Sequence, residues 1–245
     1  MGPGSRSDAP SGPPGGQRHG RVGYAHGVDA SKHPFYPLRT KRGRALRDLR
    51  AEIKACRRCV VAGFLPEAHP VAWGWTGQRA MLIGQAPAAR GHLAEIPWSG
   101  PGGVKLRGWL SEAGLVGDDA LERTFYVSAI TRCFPGPSPS GKGDRAPSPA
   151  EITICADHLD GEIALVKPEL IVSLGLIAAR RLGAKGALGD LVGTRLVGER
   201  AGVRYTLIPL PHPSGVSHFL NGEEGRTKLA AGLRLLAEER VARRL

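Results

Sequence analysis

The run Tyr205-Thr206-Leu207-Ile208-Pro209-Leu210-Pro211-His212-Pro213-Ser214-Gly215 decides how this chain reads. Its first half has the apolar character of a short buried strand. Its second half pins a histidine between two prolines. Each proline fixes its own φ near −65° and carries no N–H. Each also pushes the residue before it out of the helical region. His212 therefore sits on a stiff, extended corner just past a strand. In α/β folds, ligands bind beyond that end of the sheet. The same pattern also suits a plain strand-to-loop turn with a surface histidine.

Working outward, Leu170–Leu174 reads as another strand, ending at Gly175 and followed by a short helix through Leu182. Ala80–Ile83 is a third, running into Gly84-Gln85-Ala86-Pro87-Ala88-Ala89-Arg90-Gly91. Phe125–Ile130 is a fourth. Between and around them lie helical patterns. Leu46, Leu49, Ile53 and Cys56 share one face of a helix starting near Ala45. Leu106, Trp109 and Leu110 mark a helix that follows the loop Trp98-Ser99-Gly100-Pro101-Gly102-Gly103 and ends near Gly114. Ser148-Pro149-Ala150-Glu151 is a capping box with proline at the first helical position. The helix it opens carries Ile152, Cys155, Leu159, Ile163 and Val166 on one face. Leu229, Leu233, Leu236 and Val241 lie on a final helix. Strands alternating with helices predict one α/β domain, a mostly parallel sheet flanked by helices. We place that domain at 39–245. Residues 1–38, rich in Gly, Pro, Ser and Arg, read as a disordered or loosely docked basic arm.

The chain has 245 residues, 41% of them hydrophobic, which suffices for a sizeable core. Its formal net charge is +12. Residues 1–42 contribute +5 of this, so the folded body is basic too. A basic body favours a polyanionic partner, most commonly nucleic acid. No apolar run approaches the roughly 20 residues that span a bilayer, and the N-terminus shows no apolar signal region. We expect a cytoplasmic, monomeric protein whose thiols are reduced.

The cysteines form a set with none left over: Cys56-x2-Cys59, then Cys133 after a strand and Cys155 in a helix. Four thiolates suit a [4Fe–4S] cluster or a tetrahedral zinc ion. Spacing does not separate the two, and four unlinked core cysteines are the plain alternative.

Together these pieces resemble the uracil-DNA glycosylase superfamily, in its iron–sulfur families 4 and 5, from about Ala45 to the C-terminus. Gly84-Gln85-Ala86-Pro87-Ala88 matches the first motif, Pro97-Trp98 the aromatic that follows it, and His212-Pro213-Ser214 the second motif. Tyr126–Cys133 matches the strand that delivers the third cluster cysteine. The first motif looks closer to family 5. The resemblance implies a four-stranded, mostly parallel sheet, a [4Fe–4S] cluster on Cys56, Cys59, Cys133 and Cys155, and removal of uracil or another deaminated base from DNA. It implies that His212 stabilises charge on the leaving base and that Gln85 positions water. Gly84, Ala86, Trp98, Ala129 and Ser214 are then the substrate-binding positions. Phe219 and Leu220 are candidate wedges into the base stack; packing under the last helix is their ordinary role.

The chain departs from the family pattern at telling places. Gln85 stands where family 4 has a water-activating Glu, and cannot act as a general base. Family 5 has an Asp near the position of Pro101, but the stretch 99–103 has no carboxylate. Ala129 stands where family 4 has the Asn that reads uracil. Glu95 is the candidate substitute carboxylate. No basic insertion matches the branch that bonds covalently to the abasic sugar, and His218 lies in a different context. These departures leave two further readings: an iron–sulfur protein that binds damaged DNA without cutting it, and a zinc-stabilised α/β protein unrelated to DNA.

Overall fold

The computed structural model describes residues 1–2, 40–74, 77–94, 96–141, 143–215 and 217–245. All but the first two residues of the expected N-terminal arm lie outside them, as does Glu95. Among the described residues five strands make one sheet: Ala80–Gly84 (β1), Phe125–Ala129 (β2), Leu170–Leu174 (β3), Leu196–Arg200 (β4) and Val203–Leu210 (β5), in the order β2-β1-β3-β5-β4. β1, β2, β3 and β5 run parallel. β1 and β3 are buried at every position, as strands covered on both faces must be.

The helices are Lys41–Ala55 (α1), Arg58–Val61 (α2), Ala89–Ala94 (α3), Pro101–Glu112 (α4), Ala120–Thr124 (α5), Pro149–Ile154 (α6), Ala156–Val166 (α7), Leu176–Arg181 (α8), Leu188–Leu191 (α9) and Glu223–Arg243 (α10). On one sheet face, Ala80, Leu82, Val172 and Ile208 pack against Leu106 and Leu110 of α4, Leu121 of α5, and Leu229, Leu233 and Leu236 of α10. On the other, Met81, Ile83, Ile171 and Leu207 pack against Leu46 of α1, Leu159 and Ile163 of α7, and Ala178 and Ala179 of α8. Each fully buried Leu or Ile contributes about 1.5–3 kcal/mol by leaving water.

The α/β class and the parallel sheet agree with the sequence reading, but the sheet has a fifth strand. β4 pairs antiparallel with β5 through a two-residue turn, Ala201-Gly202, with φ of 50° and 70°. That is the geometry of a type I′ hairpin. Alanine replaces the usual Asn or Asp at its first position, so the turn signal was weak. β4 is also a part-exposed edge with a single buried residue, Gly198, so it has no apolar run to read.

The capping box is present: Glu151 N–H donates to Ser148 Oγ, and Ser148 N–H donates to the Glu151 carboxylate. The helix expected beyond it is two, broken at Cys155, whose φ and ψ are −98° and −3°. At that break the Ile154 carbonyl accepts from the Arg58 guanidinium at 3.3 Å, a partner outside the helix. Arg58 also holds Asp157 at 2.7 Å. The short α2 is thereby clamped to the start of α7.

β1 pairs with β2 on one side and β3 on the other, and the chain leaves it in opposite directions. This is a topological switch point, where α/β sheets open a crevice at their carboxyl ends. Gly84, Ala129, Gly175 and His212 all stand at that edge.

Candidate active site

β1 ends at Gly84, which pairs in register with Ala129, the last residue of β2. Beyond the strand, Ile130 N–H donates to the Gly84 carbonyl at 3.0 Å, and Thr131 N–H to the Gln85 carbonyl at 3.2 Å. Two ladder-like bonds therefore carry the first motif past the sheet, and half-buried Gln85 and Ala86 are fixed against the chain that leads to Cys133.

Trp98 lies over this edge. An added Cβ on Gly84 would meet Trp98 Cζ2 at 3.0 Å, so the indole rests almost on the strand backbone. Trp98 has φ of 58°, a left-handed conformation that costs a bulky residue about 1–3 kcal/mol. The glycines after it explain how it is held. A Cβ on Gly103 would stand 1.7 Å from the Trp98 carbonyl oxygen, and one on Gly102 would be 3.8 Å from the indole. These glycines let the chain close on Trp98 itself.

His212 meets the indole from the β5 side, with ring centroids 5.8 Å apart and planes tilted by 46°. Ser214 N–H donates to His212 Nδ1 at 3.2 Å. A ring nitrogen that accepts carries no proton, so the neutral ring's N–H is on Nε2. Burial pushes the His212 pKa down, favouring that neutral form. Gly175, at φ of 87°, lies beneath the imidazole; a Cβ there would be 3.3 Å from His212 Cβ. Of the residues expected to form the site, His212, Trp98, Gly84, Ala129 and Ser214 are thus placed around the carboxyl edge of the sheet, with Gln85 and Ala86 in the adjoining loop. Gly175 was not foreseen, although a glycine directly after a buried strand was the signal.

Phe219 and Leu220 lie on a 3-10 turn, His218–Leu220. Leu220 packs against the core under α10, and a Cβ on Gly225 would stand 1.8 Å from the Phe219 carbonyl oxygen. Both residues serve the seat of the last helix. His218 is paired at the surface with Asn221 at 3.2 Å.

The four cysteines converge. Cys56 caps α1, Cys59 lies in α2, Cys133 follows β2 and Cys155 marks the α6–α7 break, and all four line one cavity with Thr131, Arg132, Arg58 and Glu151. Among the described residues, no group of three or more His, Cys, Asp or Glu forms a ready site for a single metal ion. Burial, then repulsion from neighbouring cysteines, pushes the Cys59 thiol up to about 11 and Cys133 to about 12. Such thiols ionise only with positive charge at hand. Two residues that line this cavity, Thr131 and Arg132, each carry a buried donor, Oγ1 and Nε, with no hydrogen-bond partner among the described residues. Four thiols and two orphaned donors fit an anionic, sulfur-rich group bound by cysteine.

Behind the cavity is a buried polar network that sequence reading missed. Arg132 pairs with Glu162 at 2.7 Å, their side chains 3% and 0% exposed. Tyr126 and Ser128 hydroxyls donate to the same carboxylate at 3.0 and 2.8 Å. The signal was Glu162 itself, a carboxylate between Leu159 and Ile163 on the apolar face of α7.

A family model described as the uracil DNA glycosylase superfamily matches residues 73–234. The chain is similar to a type-4 uracil-DNA glycosylase of Pyrobaculum aerophilum, 30% identical over 176 residues, 70% of this chain and 84% of the relative. It is similar to the type-4 enzyme of Archaeoglobus fulgidus, 27% identical over 179 residues, 70% and 83% of the two chains. A type-5 uracil-DNA glycosylase of Mycobacterium bovis is 31% identical over 188 residues, 69% of this chain and 67% of that one.

Proposed function

The chain belongs to the uracil-DNA glycosylase superfamily, and on that footing we propose that it is a monofunctional DNA-repair glycosylase, hydrolysing the N-glycosidic bond of uracil or a related deaminated base. The observation that carries this reading is His212, fixed by Ser214 and set beside the Trp98 indole, which itself rests on Gly84 at the switch point.

A base in a duplex must be turned out of the stack to be attacked. Trp98 offers it an aromatic face. Gln85 and Ala86, just past the strand, bring backbone amides to the base carbonyls. As the C–N bond breaks, the sugar gains oxocarbenium character and the base becomes an anion. His212 Nε2–H donates to the uracil O2, where that negative charge grows. A donor held in place before the reaction is worth most there. Water then adds to the sugar.

Gln85 can orient that water through its amide but cannot take its proton. General-base help is typically worth 10²–10⁴-fold, so this enzyme should be slower than one with a carboxylate at that position. Ala129 offers no amide to read uracil, which favours a broader range of deaminated bases, hypoxanthine and xanthine among them. No lysine is given a Schiff-base role, so the reading has no strand cleavage.

Cys56, Cys59, Cys133 and Cys155 would hold a [4Fe–4S] cluster, which would cross-link α1 and α2 to the chain after β2 and the α6–α7 break. Its role here is structural. The convergence of four thiols with two unpartnered donors supports this assignment. No described helix is long and apolar enough to cross a membrane. With DNA as substrate, we place the protein in the cytoplasm as a monomer.

The test is base release under single-turnover conditions from oligonucleotides carrying uracil, hypoxanthine or xanthine, single- and double-stranded. Free base from at least one substrate is expected. Saturable binding to such DNA with no base released would instead make this a damage-binding protein.

A further inference from the structure

Thr131 and Arg132 occupy an unusual position. Thr131 N–H donates to the Gln85 carbonyl, and the Arg132 carbonyl accepts from Val71 N–H at 2.9 Å. Both residues also line the cysteine cavity. Both residues are almost fully buried, at 4% and 2% exposure. The Arg132 guanidinium spends its Nη groups on Ser128 and Glu162. Its Nε, and the Thr131 hydroxyl, have no partner among the described residues.

Leaving one buried donor unsatisfied costs about 1–3 kcal/mol. Two on consecutive residues, both in the wall of one cavity, call for acceptors inside that cavity. The cysteine thiols are poor acceptors as neutral groups. Inorganic sulfides and cysteine thiolates of a bound cluster are anionic acceptors suited to both donors.

We propose that Thr131 Oγ1 and Arg132 Nε are hydrogen-bond donors to the sulfur atoms of the cluster, and that they raise its reduction potential. The inference rests on the iron–sulfur reading of the cysteine set. Its physical basis is that donors near cluster sulfurs stabilise the more negative, reduced state more than the oxidised one. They are positioning residues for the cluster and touch no substrate.

The experiment is the midpoint potential of the full-length, anaerobically prepared, iron-loaded protein, with iron and sulfide content measured in each sample. Thr131→Val removes the hydroxyl and keeps the shape and the backbone bond to Gln85. Thr131→Ser restores the donor. Arg132→Lys keeps a positive charge beside Glu162 and removes Nε. Thr131→Val should lower the potential, shifting the reduced-to-oxidised ratio about tenfold, or about 59 mV for a one-electron couple. Thr131→Ser should return it to the original value, and Arg132→Lys should move it in the same direction as Thr131→Val. A loaded Thr131→Val protein with an unchanged potential overturns the inference even if Arg132→Lys fails to fold. Protein that carries no iron and sulfide overturns both this inference and the cluster assignment, while leaving the glycosylase assay to stand alone.

Discussion

Ser214 N–H donates to His212 Nδ1 at 3.2 Å, so the histidine of the second motif presents its proton on Nε2. The two prolines around His212 hold the corner, and the residue after them sets the tautomer. A rigid, neutral donor results.

That donor has a signature in stability. Burial places the His212 pKa below its ordinary value of about 6.5. A depressed histidine contributes stability that is complete above about pH 6.5 and is lost as pH falls through the folded-state value. Burial lowers His158 as well, against the opposing pull of Asp157, and acts with the same sign. We expect the melting midpoint to drop as pH falls below about 6.5, the ordinary histidine value. His212→Asn should shrink that drop by removing one of the two buried imidazoles. Melting curves at each pH check this; identical acid sensitivity in the two proteins would contradict it.

Gly84→Ala tests the seat of Trp98. The new Cβ would press on Cζ2 at 3.0 Å, and the strained Trp98 backbone, closed in by Gly103, has little room to follow. We expect base release to fall at least about tenfold, equivalent to about 1.4 kcal/mol in the barrier. The same overpacking should lower stability by about 1–3 kcal/mol, so activity is compared below the melting range of both proteins. A variant with full activity would mean that the indole does not need its place over the strand.

Glu162 is the centre of the buried network, accepting from Tyr126, Ser128 and Arg132. Glu162→Ala leaves Arg132 buried and unpaired, and should cost about 3–5 kcal/mol. Tyr126→Phe removes one hydrogen bond from a surviving network and should cost about 0.5–1.5 kcal/mol. Denaturant titration of both variants checks the order. Equal losses would show that Tyr126, and not the ion pair, dominates.

Much of this was legible in the sequence, for identifiable reasons. The parallel strands are short apolar runs, which is how strands covered on both faces must look. The capping box at Ser148 was present as read. The prolines flanking His212 mark it in the sequence as a stiff corner at a strand end. What escaped was set by contacts distant in sequence. Arg58 reaches across to Ile154 and accompanies the break at Cys155. Ala201 adopts a left-handed turn that alanine does not advertise, and so β4 was missed. That Gly103 makes room for the Trp98 carbonyl is visible only once the loop has closed. Thr131 and Arg132 looked like ordinary residues before a cysteine, because an orphaned donor is visible only once its neighbours are in place.

The most direct test of the account is single-turnover base release by His212→Ala beside the unaltered protein, on the best of the deaminated-base oligonucleotides. Iron content and melting midpoint are to be matched first. Loss of a preorganised donor at the developing charge should slow release by about 10²–10³-fold. Release within a few-fold of the unaltered protein would contradict the central claim, that the neutral imidazole of His212 stabilises the departing base.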